Sequence, residues 1–118
     1  MKYKIEVLQD QKIVFVTSEG YFNDLVVAAY KEEFLQKVDT INPIEFILLI
    51  DCRYQKVSGF GLEKELQNAL NMYLTYGFKQ IFFTRLKSRI AQEQLEALHQ
   101  IEHVTFIHEP EEILNSSS

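Results

Sequence analysis

One cysteine, Cys52, stands among 118 residues. No internal disulfide framework is possible, and a lone thiol suits a reducing compartment. No apolar run approaches the ~20 residues that a membrane-spanning helix needs. The opening Met1-Lys2-Tyr3-Lys4 passes directly into strand-like alternation, without the pattern of a secretory signal. The expectation is a cytoplasmic domain with no membrane insertion. Basic residues do not dominate: the formal net charge is −5, so the charge balance gives no reason to expect nucleic acid. Neither G-x-G-x-x-G nor Gly-Lys-Ser/Thr occurs, and G-x-S-x-G is missing too. These absences remove the dinucleotide fingerprint, the Walker phosphate loop and the serine-hydrolase elbow. No cofactor is expected.

What is present is enough apolar material for one sizeable core. The apolar share is 47%, with nine Phe and six Tyr. That predicts a single domain over residues 1–114, followed by a disordered tail at 115–118. Its most telling stretch is Ile44-Glu45-Phe46-Ile47-Leu48-Leu49-Ile50-Asp51, an apolar run interrupted only by Glu45 and closed by a carboxylate. A strand that is apolar on both faces belongs in the middle of an α/β sheet with layers above and below it. Ligands in such folds collect just past the carboxyl end, where Asp51 stands.

Around that strand the order is legible. Residues 3–8 and 12–17 alternate or are rich in β-branched residues, and the short polar link Gln9-Asp10-Gln11 makes them an antiparallel hairpin. Ser18-Glu19-Gly20 breaks the second strand. Asn23 and Asp24 open a helix over about 24–39, with Leu25, Ala28, Ala29, Glu32 and Leu35 on one side and Val26, Tyr30, Phe34 and Val38 widening its apolar face. Asn42-Pro43 stops it. The central strand covers 44–51, and 52–61 is a loop with two glycines. A second helix spans about 61–76, ended by Gly77. Residues 79–84 form the fourth strand. A third helix turns Ile90, Ala91, Leu95, Leu98 and Ile101 inward, 104–107 is the fifth strand, and Pro110 starts a short last helix. The reading is β-β-α-β-α-β-α-β-α: an α/β fold with a mixed five-stranded sheet, an N-terminal antiparallel hairpin and helices packed on the sheet.

Several residues carry possible chemistry. His99, Glu102 and His103 match the H-x-x-E-H spacing, but the helix should end before His103 and only 15 residues follow. They read as surface histidines at a helix end, with no metal. Asp51 and Thr84 at consecutive strand ends suit a phosphoacceptor site, yet no acidic pair follows the first strand and no lysine follows the fifth. Asp51 then reads as a loop-capping carboxylate. Ser58-Gly59-Phe60-Gly61 precedes a helix, where backbone N–H groups can face an anion or Ser58 can simply cap the turn. Arg85, Lys87 and Arg89 cluster before the third helix, near the same sheet edge, and suit a phosphate or carboxylate, or an ordinary solvated face. Arg53 adjoins Cys52, which reads as a partly buried, inert thiol. If the strand ends hold a ligand, its contacts are Asp51, Arg53, Gly59, Gly61, Thr84, Arg85 and Lys87. No catalytic set is complete.

Three passages carry a likeness to a known family: Glu19-Gly20-Tyr21-Phe22, then Phe46 to Asp51, then Ser58-Gly59-Phe60-Gly61-Leu62. With the element order, they resemble the SpoIIAA-like fold, which includes the STAS domains of anti-sigma-factor antagonists and sulfate-transporter tails. The last passage is similar to the antagonists' D-S-S-G-L-G, with Lys56 and Val57 where the family has an acidic residue and its first serine. The resemblance implies a regulatory, protein-binding domain without a catalytic site, with Ser58 in the place of a phosphorylated serine. It implies a protein partner, with a second copy of the chain as one candidate. The alternative it implies is a small-ligand or lipid pocket at the carboxyl ends of the strands, between helices and sheet.

Overall fold

The computed structural model describes residues 2–21, 24–56 and 62–116. Among these residues the elements are β1 (Lys2–Leu8), β2 (Ile13–Tyr21), α1 (Asp24–Val38), β3 (Ile47–Lys56), α2 (Leu62–Thr75), β4 (Gln80–Thr84), α3 (Arg89–Glu96), β5 (Val104–Ile107) and α4 (Glu111–Leu114). The chain is an α/β domain built on one five-stranded mixed sheet, and its strands lie in chain order, β1-β2-β3-β4-β5. β1 and β2 form the antiparallel hairpin, while β2, β3, β4 and β5 run parallel. The sequence-derived hairpin, parallel core and helical crossovers are all present.

Side-chain alternation divides the sheet into two unequal faces. Because every parallel step goes the same way and crossovers are right-handed, α1, α2 and α3 fall on one side. There Val14, Val16, Leu48, Ile50, Ile81 and Phe83 meet Tyr30, Phe34 and Val38 of α1, Leu70 and Tyr73 of α2, and Ala91 and Leu95 of α3. On the reverse face Ile13, Leu49, Phe82 and Ile107 are covered by Ile113 and Leu114 of the short α4. The central strand is therefore buried on both faces as its apolar run requires, but the two layers differ greatly in size.

Five expectations are corrected. β3 starts at Ile47 rather than 44, because Pro43–Glu45 form a 3-10 turn in which Ile44 stays exposed. Proline at the first position of that turn fixes the backbone in a helical sense before the strand can begin. β2 does not break at Ser18: it runs on to Tyr21, with Gly20 at φ +86°. β3 likewise continues through Cys52–Lys56, which the sequence suggested was loop. The α1 face is narrower than expected. Tyr30, Phe34 and Val38 are buried, whereas Leu25 is 82% exposed and Ala28, Ala29 and Leu35 are also outside. The true stripe is the i, i+4, i+8 row alone. Ile90 also points out, at 69% exposure, because α3 lays Ala91, Gln92 and Leu95 on the core instead.

The ends of the helices have local causes. Gly77, which follows α2, has φ +69°. A Cβ there would sit 3.6 Å from Ile44 Cγ2, ordinary contact, so the left-handed backbone and not space selects glycine. Ser88 caps α3: its Oγ accepts a hydrogen bond from Ala91 N at 3.2 Å. Ser88→Ala is expected to cost about 1 kcal/mol, read from the urea midpoint. A Ser88→Asp variant should restore most of that loss, and failure of Asp to do so would dissociate the effect from capping.

Candidate functional site

Beyond Thr17 and Asp51 the β2–β3 pairing shifts register. Thr17 pairs with Asp51, but Glu19 pairs with Tyr54, so β3 carries one extra residue. Such a bulge re-aims the side chains after it. Cys52 points to the helix side, where it joins the main core, and Gln55 does too, lining the space under α1 and α2. Without the extra residue Gln55 would lie on the reverse face. Its Nε2 donates to Gly20 O at 2.7 Å, tying the two strands together past the end of β4. β4 stops pairing with β3 at Ile50 and Phe83, whereas β2 and β3 stay paired to Tyr21 and Lys56. The two strands thus extend as a ribbon beyond the body of the sheet.

At the root of this ribbon the structure gathers Asp51, Arg53 and Thr84. Arg53 donates Nε to Asp51 Oδ1 and Nη2 to Asp51 Oδ2, each at 2.9 Å. Thr84 Oγ1 donates to Asp51 Oδ1 at 3.2 Å and accepts from Cys52 N at 2.8 Å. Arg53 N adds a bond to Oδ1 at 3.3 Å. Asp51 is 5% exposed and Thr84 is fully buried. Three of these bonds reach Oδ1 and one reaches Oδ2, so each carboxylate oxygen has a partner within the chain. Hydrogen bonding to Asp51 raises the Arg53 pKa further, so the guanidinium stays charged. Both carboxylate oxygens thus take part in a bidentate, charge-assisted pair with Arg53.

The remaining proposed contacts do not converge there. Arg85 turns to α3, where Nη1 meets Glu96 Oε1 at 3.0 Å and the guanidinium lies 5.6 Å from the Phe106 ring centre. Lys87 reaches the site only through its backbone, whose N donates to Arg53 O at 3.0 Å. Ser58, Gly59 and Gly61 lie outside the described residues. His99 and His103 are exposed at the end of α3 and in a 3-10 turn. Among the described residues no three His, Cys, Asp or Glu side chains are placed to share a metal ion. No helix among them is long and apolar enough to cross a membrane. Cys52 is buried and its Sγ donates to Thr84 O at 3.2 Å. Burial pushes the thiol pKa up to about 12, which leaves it protonated and a poor nucleophile at neutral pH.

Two features involve residues that the sequence reading did not single out as a site. One is the outer face of the ribbon. Tyr21 and Tyr54 are 52% and 53% exposed. Lys56 Nζ lies 5.6 Å from the Tyr21 ring centre and Arg53 Cζ lies 5.3 Å from that of Tyr54. The other is a cavity of about 80 Å³ between α1, α2 and the sheet, walled by Val16, Ile50, Leu66, Leu70 and Phe83 among others. Tyr30 and Tyr73 also line it, and their hydroxyls hydrogen-bond to each other at 2.5 Å. Two tyrosines on otherwise apolar helix stripes were the available signal for it, since a buried phenol needs a partner. Set beside known proteins, the chain matches no protein-family model and no curated protein sequence.

Proposed function

We propose that the chain is a non-catalytic regulatory domain of the SpoIIAA/STAS-like type that acts by binding a protein partner through the outer face of the β2–β3 ribbon. The sequence likeness and the sheet laid out in chain order behind an antiparallel hairpin support the fold assignment. The observation that carries the function is the pair of half-exposed tyrosines, Tyr21 and Tyr54, each with a cation over or beside its ring. Exposed Tyr and Arg are the residue types that concentrate binding energy at protein interfaces. The Asp51–Arg53 pair beneath them holds the ribbon root rigid, which lowers the entropy lost on docking. Against catalysis stands the same pair, since both oxygens of the Asp51 carboxylate already hold partners within the chain.

The test is affinity capture from the native cell with the parent protein and with Tyr21→Ala/Tyr54→Ala. A stoichiometric protein should co-purify with the parent and bind the double variant at least about tenfold more weakly. Equal retention by both would sink the ribbon assignment. A second reading, a small-ligand domain, is favoured by the cavity between α1 and α2.

A further inference from the structure

The geometry points to the α1–α2 cavity as a site for a small uncharged molecule with an apolar body and one hydrogen-bond acceptor oxygen, such as a short-chain ketone, held by the Tyr30–Tyr73 hydroxyl pair. This rests on the small-ligand reading and names its ligand class.

The walls set the body of the ligand. Val16, Ile50, Leu66, Leu70, Met72 and Phe83 leave a space of about 80 Å³. A dry engineered cavity of about 150 Å³ holds benzene or xenon. A smaller apolar group therefore fits here, with the rest of the molecule reaching towards Lys31 of α1 and Glu65 of α2, the half-buried charged residues of the lining.

The tyrosine pair sets the polar atom. Each phenol carries one proton, and one hydroxyl donates to the other. That leaves the second proton unspent. Both residues are buried, and neither hydroxyl has a further partner among the described residues. A buried donor without an acceptor is costly, and an acceptor oxygen in the cavity relieves that cost. Charge is disfavoured at the same place. Burial raises the pKa of Tyr30 well above the ordinary phenol value, raises that of Tyr73 too, and pushes the neighbouring Cys52 thiol up to about 12. An anionic head group placed there would meet the same penalty. A neutral carbonyl oxygen meets the donor without it.

Three probes separate the parts of this assignment, each followed by NMR on the intact chain. Xenon reports whether the cavity admits a guest at all. It should shift the methyl signals of Ile50, Leu70 and Met72. Butanone and 2-methyl-1-butene have nearly the same shape, but only the ketone carries an oxygen. Both should perturb the same methyls. In Tyr30→Phe/Tyr73→Phe, butanone should bind about 3- to 10-fold more weakly, the worth of one neutral hydrogen bond, while the alkene should bind no worse. That double change replaces both partners by apolar groups of the same shape, so the fold is retained. Ala69→Leu, which fills the cavity from α2, should abolish binding of all three probes. Xenon binding with equal losses for ketone and alkene overturns the ligand class and leaves the cavity reading standing. No xenon shift, or unchanged probe binding in Ala69→Leu, overturns both.

Discussion

Arg53→Met is expected to lower stability by about 3 kcal/mol, seen as a lower urea midpoint at an unchanged slope. The figure follows from what is left behind. Asp51 would remain 5% exposed with its two guanidinium bonds gone. Only Thr84 Oγ1 at 3.2 Å and the backbone N of residue 53 at 3.3 Å would still address it. An orphaned buried carboxylate commonly costs about 3–5 kcal/mol. The lower end applies because the Arg53 side chain is itself 21% exposed, so water can enter where it stood. Methionine keeps most of the apolar stem and limits the effect to the lost head group. The double variant Asp51→Asn/Arg53→Met should lose less than half as much, since no charge is then stranded. A single-variant loss below about 1 kcal/mol would place the pair with ordinary surface salt bridges and remove the rigid ribbon root from the account of binding.

Phe34→Ala should be costlier still, at about 4 kcal/mol. Phe34 is 0% exposed. Its ring centre lies 5.9 Å from Tyr30, 5.3 Å from Tyr73, 6.0 Å from Tyr76 and 6.3 Å from Phe78. One side chain thus joins α1, α2 and the segment entering β4, and deleting it removes aromatic contacts in several directions while leaving a void. Domains of this size hold roughly 5–15 kcal/mol in total, so the variant should melt on the order of 10–20 °C lower. Calorimetry checks this directly. A loss under about 2 kcal/mol would mean that the surrounding rings close over the gap.

The elements themselves were readable from the chain because local pattern determines them. The alternation in 3–8, the apolar run ending at Asp51 and the i, i+4 rows of α2 each have one good structural solution. Boundaries were harder where tertiary pairing decides. Nothing local distinguishes Cys52–Lys56 as strand: its polar residues become strand because β2 offers a partner across a bulge. Leu25 and Tyr30 both looked like core, and only the placement of α1 over β1 and β2 makes one buried and the other bare. For the site, the importance of Asp51 was legible, but it lies inside β3 rather than at its end, and its pairing with Arg53 was hidden because 52–56 read as loop, where i and i+2 need not share a face. Arg85 read as a ligand contact beside Asp51, but in space it pairs with Glu96 of α3. For the cavity, Tyr30 and Tyr73 on apolar stripes were a signal, but its size depends on the distance between two helices, which no one-dimensional pattern encodes.

The order of strands across the sheet has a consequence for how the chain is made. Each strand finds its partner in the strand just before it, so no strand waits for a distant segment to be synthesised. Contacts of modest sequence separation close at low entropic cost and favour fast assembly. On the ribosome the hairpin can form first and each later β–α unit can wind onto a finished edge. The reverse face is the exception. Its residues Ile13 and Leu49 come early, but the α4 residues that shield them, Ile113 and Leu114, come last. Through most of synthesis the growing sheet therefore shows a bare apolar surface on one side, and that interval is when a nascent chain is open to association with chaperones or with its own neighbours.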